Sequence, residues 1–288
     1  MANKNTYALI TGGSSGIGYE IAKDLAARGY NLILISRNEK NLKNCSASLE
    51  NKYGISVDYI ACDLSNKNSV SKIYKACQEK NYTIEVLVNN AGYGINTPFH
   101  ITSIEDEESF IRVLGTSVIS LTKIFLNDMI EKKRGKIMIV SSVAAFAPPS
   151  AIQVLYGPIK TFMNRFSDAL NKNYNRYGIT STSVCPGFTV TNFHTASNVQ
   201  DLMDKVPSFM KFSAERIAKE GVEAMLKGKS LCIPTKTYKS IVFLLKIIPY
   251  SLVRRLESFF APGRYKCCLL YTSPSPRDRT RSRMPSSA

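Results

Sequence analysis

Short apolar runs alternate with segments of helical period along most of this chain, and that alternation limits the fold more than any other feature. Thr6–Thr11, Leu32–Ile35, Val57–Cys62, Val86–Asn89, Lys136–Val140, Thr180–Val184 and Leu231–Pro234 read as strands. Between them, Ile17–Arg28, Leu42–Tyr53, Lys67–Glu79, Asp106–Lys133, Gln153–Tyr177 and Ala214–Lys227 repeat apolar positions at helical spacing. Gly29 and Gly54 stop the first two helices, and Ser213 is placed to cap the last. Continuous apolar strands separated by helices predict a parallel sheet covered on both faces. No linker rich in Pro, Gly or Ser divides the first 260 residues, so the expectation is one doubly wound α/β domain.

The first strand runs into Thr11-Gly12-Gly13-Ser14-Ser15-Gly16-Ile17-Gly18 and then a helix. Glycines let the backbone turn sharply and approach a pyrophosphate, while the helix amino terminus offers N–H groups and a positive dipole end. Glycine turns are common, and this loop gains weight from its strand-loop-helix context. On the second strand an acidic side chain would bind ribose hydroxyls, but here the text is Ser36-Arg37-Asn38. Arg37 is a planar donor suited to a phosphate, which favours NADP(H) over NAD(H).

Further motifs follow in order at strand ends. They are Asp63-Leu64, Asn89-Asn90-Ala91-Gly92, Ser141-Ser142, Tyr156-x-x-x-Lys160 and Pro186-Gly187-Phe188-Thr189-Val190-Thr191. Each alone is a turn former, a cap or an exposed helix pair. Together, from about residue 5 to residue 235, the chain resembles the short-chain dehydrogenases/reductases. The resemblance implies a Rossmann-type fold and an NADP(H)-dependent oxidoreductase interconverting a carbonyl and a secondary alcohol. It implies cofactor contacts from Gly12, Ser14, Ser15, Gly16, Ile17, Gly18, Arg37, Asp63, Asn90, Tyr156, Lys160, Thr189 and Thr191. It makes Tyr156 the general acid/base, with Lys160 tuning it and Ser142 holding the substrate oxygen. The chemistry is consistent: a free tyrosine titrates near pH ~10, and a neighbouring ammonium favours its phenolate.

Three departures bear on activity. Leu114, in Val113-Leu114-Gly115, stands where the family commonly has an Asn. Ser142 and Tyr156 are 14 residues apart, one more than usual, so the loop around Pro148-Pro149 must absorb an insertion. Pro158 lies between Tyr156 and Lys160 and is expected to remove a helix N–H and bend the scaffold. The rival reading is a cofactor-binding pseudoenzyme or scaffold with decayed catalysis.

Residues 193–213 are expected to form a substrate lid; Phe193, Val199, Leu202, Met203, Val206, Phe209, Met210 and Phe212 make it apolar, pointing to a lipophilic substrate. Such residues also pack lids against cores. Ile241–Ile248, the longest apolar stretch, is too short to span a bilayer. The segment 241–260 follows the last strand directly, which favours packing over the cleft or a partner subunit. With Lys246, Arg254 and Arg255 it also suits a peripheral contact with an anionic membrane. The resemblance implies a homodimer or homotetramer.

The formal charge is +16, but six basic residues and one acidic residue lie in 264–288, leaving +11 before them. The remaining lysines are dispersed, with no nucleic-acid module, so nucleic acid is not an expected partner. The tail of alternating Ser, Pro and Arg reads as disordered and resembles translated library sequence, which places the domain at 1–263. Seven scattered cysteines show neither metal-ligand spacing nor a disulfide framework, and no secretory signal opens the chain. The expectation is a cytoplasmic protein without a metal.

Overall fold

The computed structural model describes residues 5–95, 97–148, 154–191 and 206–249. The expected tail 264–288, most of the expected lid and residues 250–260 lie outside these.

Seven parallel strands form the central sheet in the order β3-β2-β1-β4-β5-β6-β9. They are β1 (Thr6–Thr11), β2 (Asn31–Ser36), β3 (Val57–Ala61), β4 (Thr83–Asn89), β5 (Gly135–Val140), β6 (Ile179–Val184) and β9 (Leu231–Cys232). β7 (Thr189–Val190) and β8 (Phe212–Ser213) pair separately, Thr189 beside Phe212. The helices are α1 (Gly16–Ala27), α2 (Glu39–Tyr53), α3 (Ser69–Glu79), α4 (Ile104–Ile111), α5 (Ser117–Glu131), α6 (Tyr156–Tyr174), α7 (Ala214–Leu226) and α8 (Lys236–Ile247).

Successive strand residues point to opposite faces, and the two cores follow that period. Leu9, Ile33, Ile35, Leu87, Ile137 and Ile139 meet α3, α5 and α6 through Ile73, Phe125 and Met163. Their neighbours Ala8, Ile10, Leu32, Leu34, Val88 and Met138 meet α1, α2 and α7 through Leu25, Leu42 and Val222. Burying each Leu or Ile contributes about 1.5–3 kcal/mol, so both faces are strongly specified.

The helix ends agree with their sequence signals. Gly54 takes the left-handed conformation after α2, and the Ser213 hydroxyl accepts the Arg216 N–H. The long helix expected over Asp106–Lys133 is instead interrupted by a π turn, Arg112–Thr116, where the Ser117 N–H donates to Arg112 O. By length and composition Ile104–Glu131 could cross a membrane, but 56% of its most apolar window is buried inside the fold. α6 runs from Tyr156 to Tyr174 with Pro158 near its start. The proline is the third residue of the helix, inside the first turn, where an N–H has no partner within the helix.

The strand order reverses direction between β1 and β4, and in open α/β sheets the crevice beyond the strand carboxyl ends at such a point is the ligand site.

Candidate active site

Thr11, at the end of β1, ties this crevice together. Its hydroxyl accepts the N–H groups of Asn90 and Ala91 at 2.9 and 3.0 Å and donates to Val88 O at 3.3 Å. The Asn90 amide donates to the carbonyls of Thr11 and Gly12 at 2.9 and 3.3 Å, holding the glycine loop from behind. Gly12 has φ +66°, and a Cβ there would lie 2.7 Å from Asn90 Nδ2. A Cβ on Gly18 would collide with Gly12 O and Asn90 Nδ2, so the first turn of α1 reaches the loop only through glycine.

Around this loop stand the groups that could hold a dinucleotide. Ser15 begins α1 in an extended conformation, and no acidic residue lies in that helix's first turn. Gly16 and the half-buried Ile17 follow it. Ser14 Oγ donates to Ser36 Oγ at 2.9 Å, joining the loop to the end of β2. Arg37 is exposed beyond Ser36, while Asn38 caps α2 by accepting the Asn41 N–H at 2.9 Å. Exposed Asp63 accepts the Ser65 N–H at 2.9 Å. The Tyr93 phenol is held above its ordinary pKa, chiefly by burial and then by Asp106, with Arg37 acting the other way. From the far side Thr191 closes in, its Cβ 3.4 Å from where a Gly16 Cβ would be.

The other end of the crevice is built by β5, α6 and the Pro-Gly loop. Lys160 is buried, and its ammonium donates to Val140 O at 2.8 Å. Burial brings its pKa down to about 8, with Cys185 acting weakly the other way. The Lys160 nitrogen lies 5.5 Å from the centre of the Tyr156 ring, as two residues four apart on one helix should. Ser141 Oγ donates to Lys160 O at 3.0 Å. Ser142 Oγ accepts the Ala144 N–H at 3.1 Å and so caps the short 3-10 turn Val143–Ala145. The Val143 N–H donates to Pro186 O at 2.9 Å, and Thr189 Oγ1 donates to Gly187 O at 3.0 Å.

The structure thus places the motif residues at the carboxyl ends of β1, β2, β4, β5 and β6 and at the start of α6. It adds Thr11, the Val140 carbonyl and Tyr238, which sequence reasoning missed. Tyr238 contacts Phe188 across 50 positions of chain, and nothing local marks it. Among the described residues Cys45, Cys62, Cys77, Cys185 and Cys232 are free thiols, and no group of three or more His, Cys, Asp or Glu could hold a metal ion.

Comparison with known proteins agrees with this layout. Residues 6–201 match the short chain dehydrogenase family. Very-long-chain 3-oxoacyl-CoA reductase of Rattus norvegicus is 32% identical over 226 residues, covering 77% of this chain and 70% of the relative. Hydroxysteroid dehydrogenase-like protein 1 of Gallus gallus is 33% identical over 243 residues, covering 83% and 70%. A short-chain dehydrogenase from Sphingobium yanoikuyae in complex with NADPH shares the fold with a TM-score of 0.74 at 24% identity, covering 85% of this chain and 96% of that one. L-Sorbose reductase from Gluconobacter frateurii, complexed with NADPH and L-sorbose, gives a TM-score of 0.70 at 22% identity, covering 80% and 94%. With a family match over more than half its length and a crevice built from that family's motifs, the chain belongs to the short-chain dehydrogenases/reductases, oxidoreductases that use a nicotinamide cofactor.

Proposed function

We propose that this enzyme is an NADP(H)-dependent reductase of lipophilic ketones, with Tyr156 as general acid. The observation that carries this reading is the buried ammonium of Lys160, 5.5 Å from the Tyr156 ring at the crevice end of α6. An ammonium held near a phenol favours the phenolate, so the Tyr156 proton leaves more readily than from a free tyrosine. Val140 O holds the Lys160 nitrogen in place. Ser142 Oγ accepts from Ala144, which leaves its own O–H to donate to the substrate oxygen.

The residues present fit a dinucleotide, because the glycine cradle excludes side chains where a pyrophosphate would approach. Gly12, Ser14, Ser15, Gly16, Ile17 and Gly18 would hold the pyrophosphate at the α1 terminus. Asp63 would meet the adenine, and Thr189 and Thr191 the nicotinamide end. Asn90 shapes the loop, and Lys160 would also hold the ribose. When bound there, the nicotinamide supplies the hydride.

Ser36 and Arg37 in place of an acidic residue support a 2′-phosphate. Arg37→Ala is expected to weaken NADPH binding roughly tenfold, in line with about 1–2 kcal/mol for a charge-assisted bond at an exposed site, while leaving NADH affinity unchanged. Fluorescence titration checks this, and equal effects on both cofactors would remove the phosphate assignment.

Leu114 is buried on the π turn, 3.5 Å from where a Gly92 Cβ would be. Leucine offers no donor or acceptor for a proton-relay water. Leu114→Asn is therefore expected to raise turnover several-fold, within the ~10²–10⁴-fold range of general acid-base steps. It should also lower stability by about 1–3 kcal/mol through the buried amide. A folded variant with unchanged NADPH affinity and no faster turnover contradicts the relay account.

Support for a lipophilic substrate comes from Val206, Phe209, Met210 and Phe212, and from relatives named for very-long-chain 3-oxoacyl-CoA and hydroxysteroids. A ketone panel followed by NADPH absorbance tests it; preference for small polar carbonyls would overturn it. Short-chain dehydrogenases are commonly oligomeric. Ile111, Ile119 and Phe162 are exposed apolar side chains that a homodimer or homotetramer could bury, which sedimentation tests.

α8 serves two sides. Tyr238 and Val242 are buried, whereas Phe243, Leu244 and Ile247 are exposed beside Lys236, Lys239 and Lys246, with no acidic residue on the helix. This outward face suits peripheral contact with anionic lipid. Flotation with phosphatidylserine vesicles is expected to carry the protein, and Phe243→Ser with Ile247→Ser to release it. Recovery of both proteins in the pellet would refute the contact.

A further inference from the structure

One phenol outside the Tyr156 site joins three segments that chain order keeps apart. Tyr238 on α8 is only 2% exposed. Its oxygen accepts the Phe188 N–H at 3.0 Å, and its O–H donates to Met210 O at 2.8 Å. Its ring lies against Gly187 so closely that a Cβ there would fall among the ring carbons. Phe212 meets the same ring edge-on, with centroids 5.9 Å apart.

The ring is held from behind as well. Thr235 takes a left-handed φ of 71°, unusual for a β-branched residue, and accepts the Tyr238 N–H at 3.5 Å. The Thr235 N–H donates to Glu220 Oε2 on α7 at 3.0 Å. A strained residue persists only where its surroundings over-determine it, and here they anchor the start of α8.

The segments so joined are the Pro-Gly loop after β6 and the strand β8. Phe212 N–H donates to Phe188 O at 3.1 Å, and β7 pairs with β8. Thr191, just past β7, is the residue that approaches Gly16. A shift at Phe188 would therefore be passed along β7 toward the glycine loop.

We infer that Tyr238 is a positioning residue that sets the Gly187–Thr191 segment against the glycine loop and locks it to β8. Its consequence for the nicotinamide end rests on the functional reading above. Its mechanical part does not.

The test is Tyr238→Phe, which keeps the ring on Gly187 and removes both hydroxyl bonds. Hydrogen exchange is expected to quicken roughly tenfold in peptides covering 186–191 and 208–213 together, with β1 and β4 unchanged. NADPH affinity should fall roughly five- to tenfold, while adenosine 2′,5′-bisphosphate, which lacks the nicotinamide end, binds as before. Gly187→Ala should give the same pattern by displacing the ring, and the double variant should be no worse than Gly187→Ala alone. Unchanged exchange in either segment, faster exchange throughout the sheet, or additive effects in the double variant would each overturn the assignment. Parallel loss of affinity for both ligands would overturn it too, because a general loss of structure does not distinguish the two ends. A wild-type protein that binds no NADPH would sink the functional reading, and the exchange pattern would still decide the clamp.

Discussion

Tyr156→Phe is expected to lower turnover in ketone reduction by ~10²–10⁴-fold, the contribution of a positioned general acid, while NADPH affinity stays nearly constant. The phenyl ring keeps the aromatic packing at the start of α6 and removes the hydroxyl that carries the proton. The same site carries a pH signature. Burial brings Lys160 down to about 8 from the ordinary lysine range, so its ammonium is present below that pH and lost above it. Reduction by the wild-type enzyme should therefore fall as pH rises through about 8, since the neutral amine no longer favours the phenolate. A lysine whose pKa is lowered on folding also makes the folded state bind fewer protons than the unfolded chain between that value and 10.5. Its contribution to stability is thus least favourable below about 8 and improves as pH rises from there to 10.5. Activity and stability should move in opposite directions across that window. Steady-state rates and urea unfolding at matched pH values check both; a rate that keeps rising through pH 9 would contradict the Lys160 role.

The second large effect lies at the other end of the crevice. Gly18→Ala places a methyl group onto Gly12 O and Asn90 Nδ2, both of which are already fixed by the bonds linking β1 to β4. Neither is the far end of a flexible side chain with room to turn, so the loop or the first turn of α1 must move. Overpacking of this kind costs about 1–3 kcal/mol, and the displaced loop should lose most of its affinity for NADPH, roughly a hundredfold. Thermal melts with and without NADPH would show it: the apo protein melts slightly lower, and the cofactor-induced rise in Tm disappears. A normal rise would mean that the loop tolerates the methyl and that its glycine is not required by close approach.

Much of this architecture was legible because it depends on patterns that are local. β1, β2, β4 and β5 announce themselves as apolar runs, since both faces of each are buried, whereas β6, Ile-Thr-Ser-Thr-Ser-Val, is buried although four of its six residues are polar. The caps at Gly54 and Ser213 follow from residue chemistry that acts over three or four positions. The glycine loop and the Tyr156–Lys160 pair were legible for the same reason: each is a short spacing with a geometric consequence. What was not legible depends on long-range packing or on small differences in winding. A π turn at Arg112–Thr116 leaves the apolar spacing of Val113, Leu114 and Val118 compatible with an ordinary helix. Pro158 lies in the first turn of α6, where it removes no bond within the helix, and a spacing alone does not show where a first turn begins. β7 and β8 have two residues each, too few for any periodicity, and Tyr238 meets Gly187 only once the sheet is assembled. Asn90 is an expected cofactor contact whose amide also donates to the loop's own carbonyls, a role that its spacing alone does not show.

The central claim is that this chain moves a hydride between a nicotinamide and a carbonyl carbon, with Tyr156 handling the proton. The most direct measurement supplies NADPH carrying deuterium at the transferable nicotinamide position, together with a panel of long-chain and polycyclic ketones. The alcohols are then examined by mass spectrometry. The account predicts an alcohol with one deuterium on the carbinol carbon from the wild-type protein, and essentially none from Tyr156→Phe in the same time. Tight NADPH binding with no labelled alcohol from any ketone, or equal labelling by the two proteins, would contradict it.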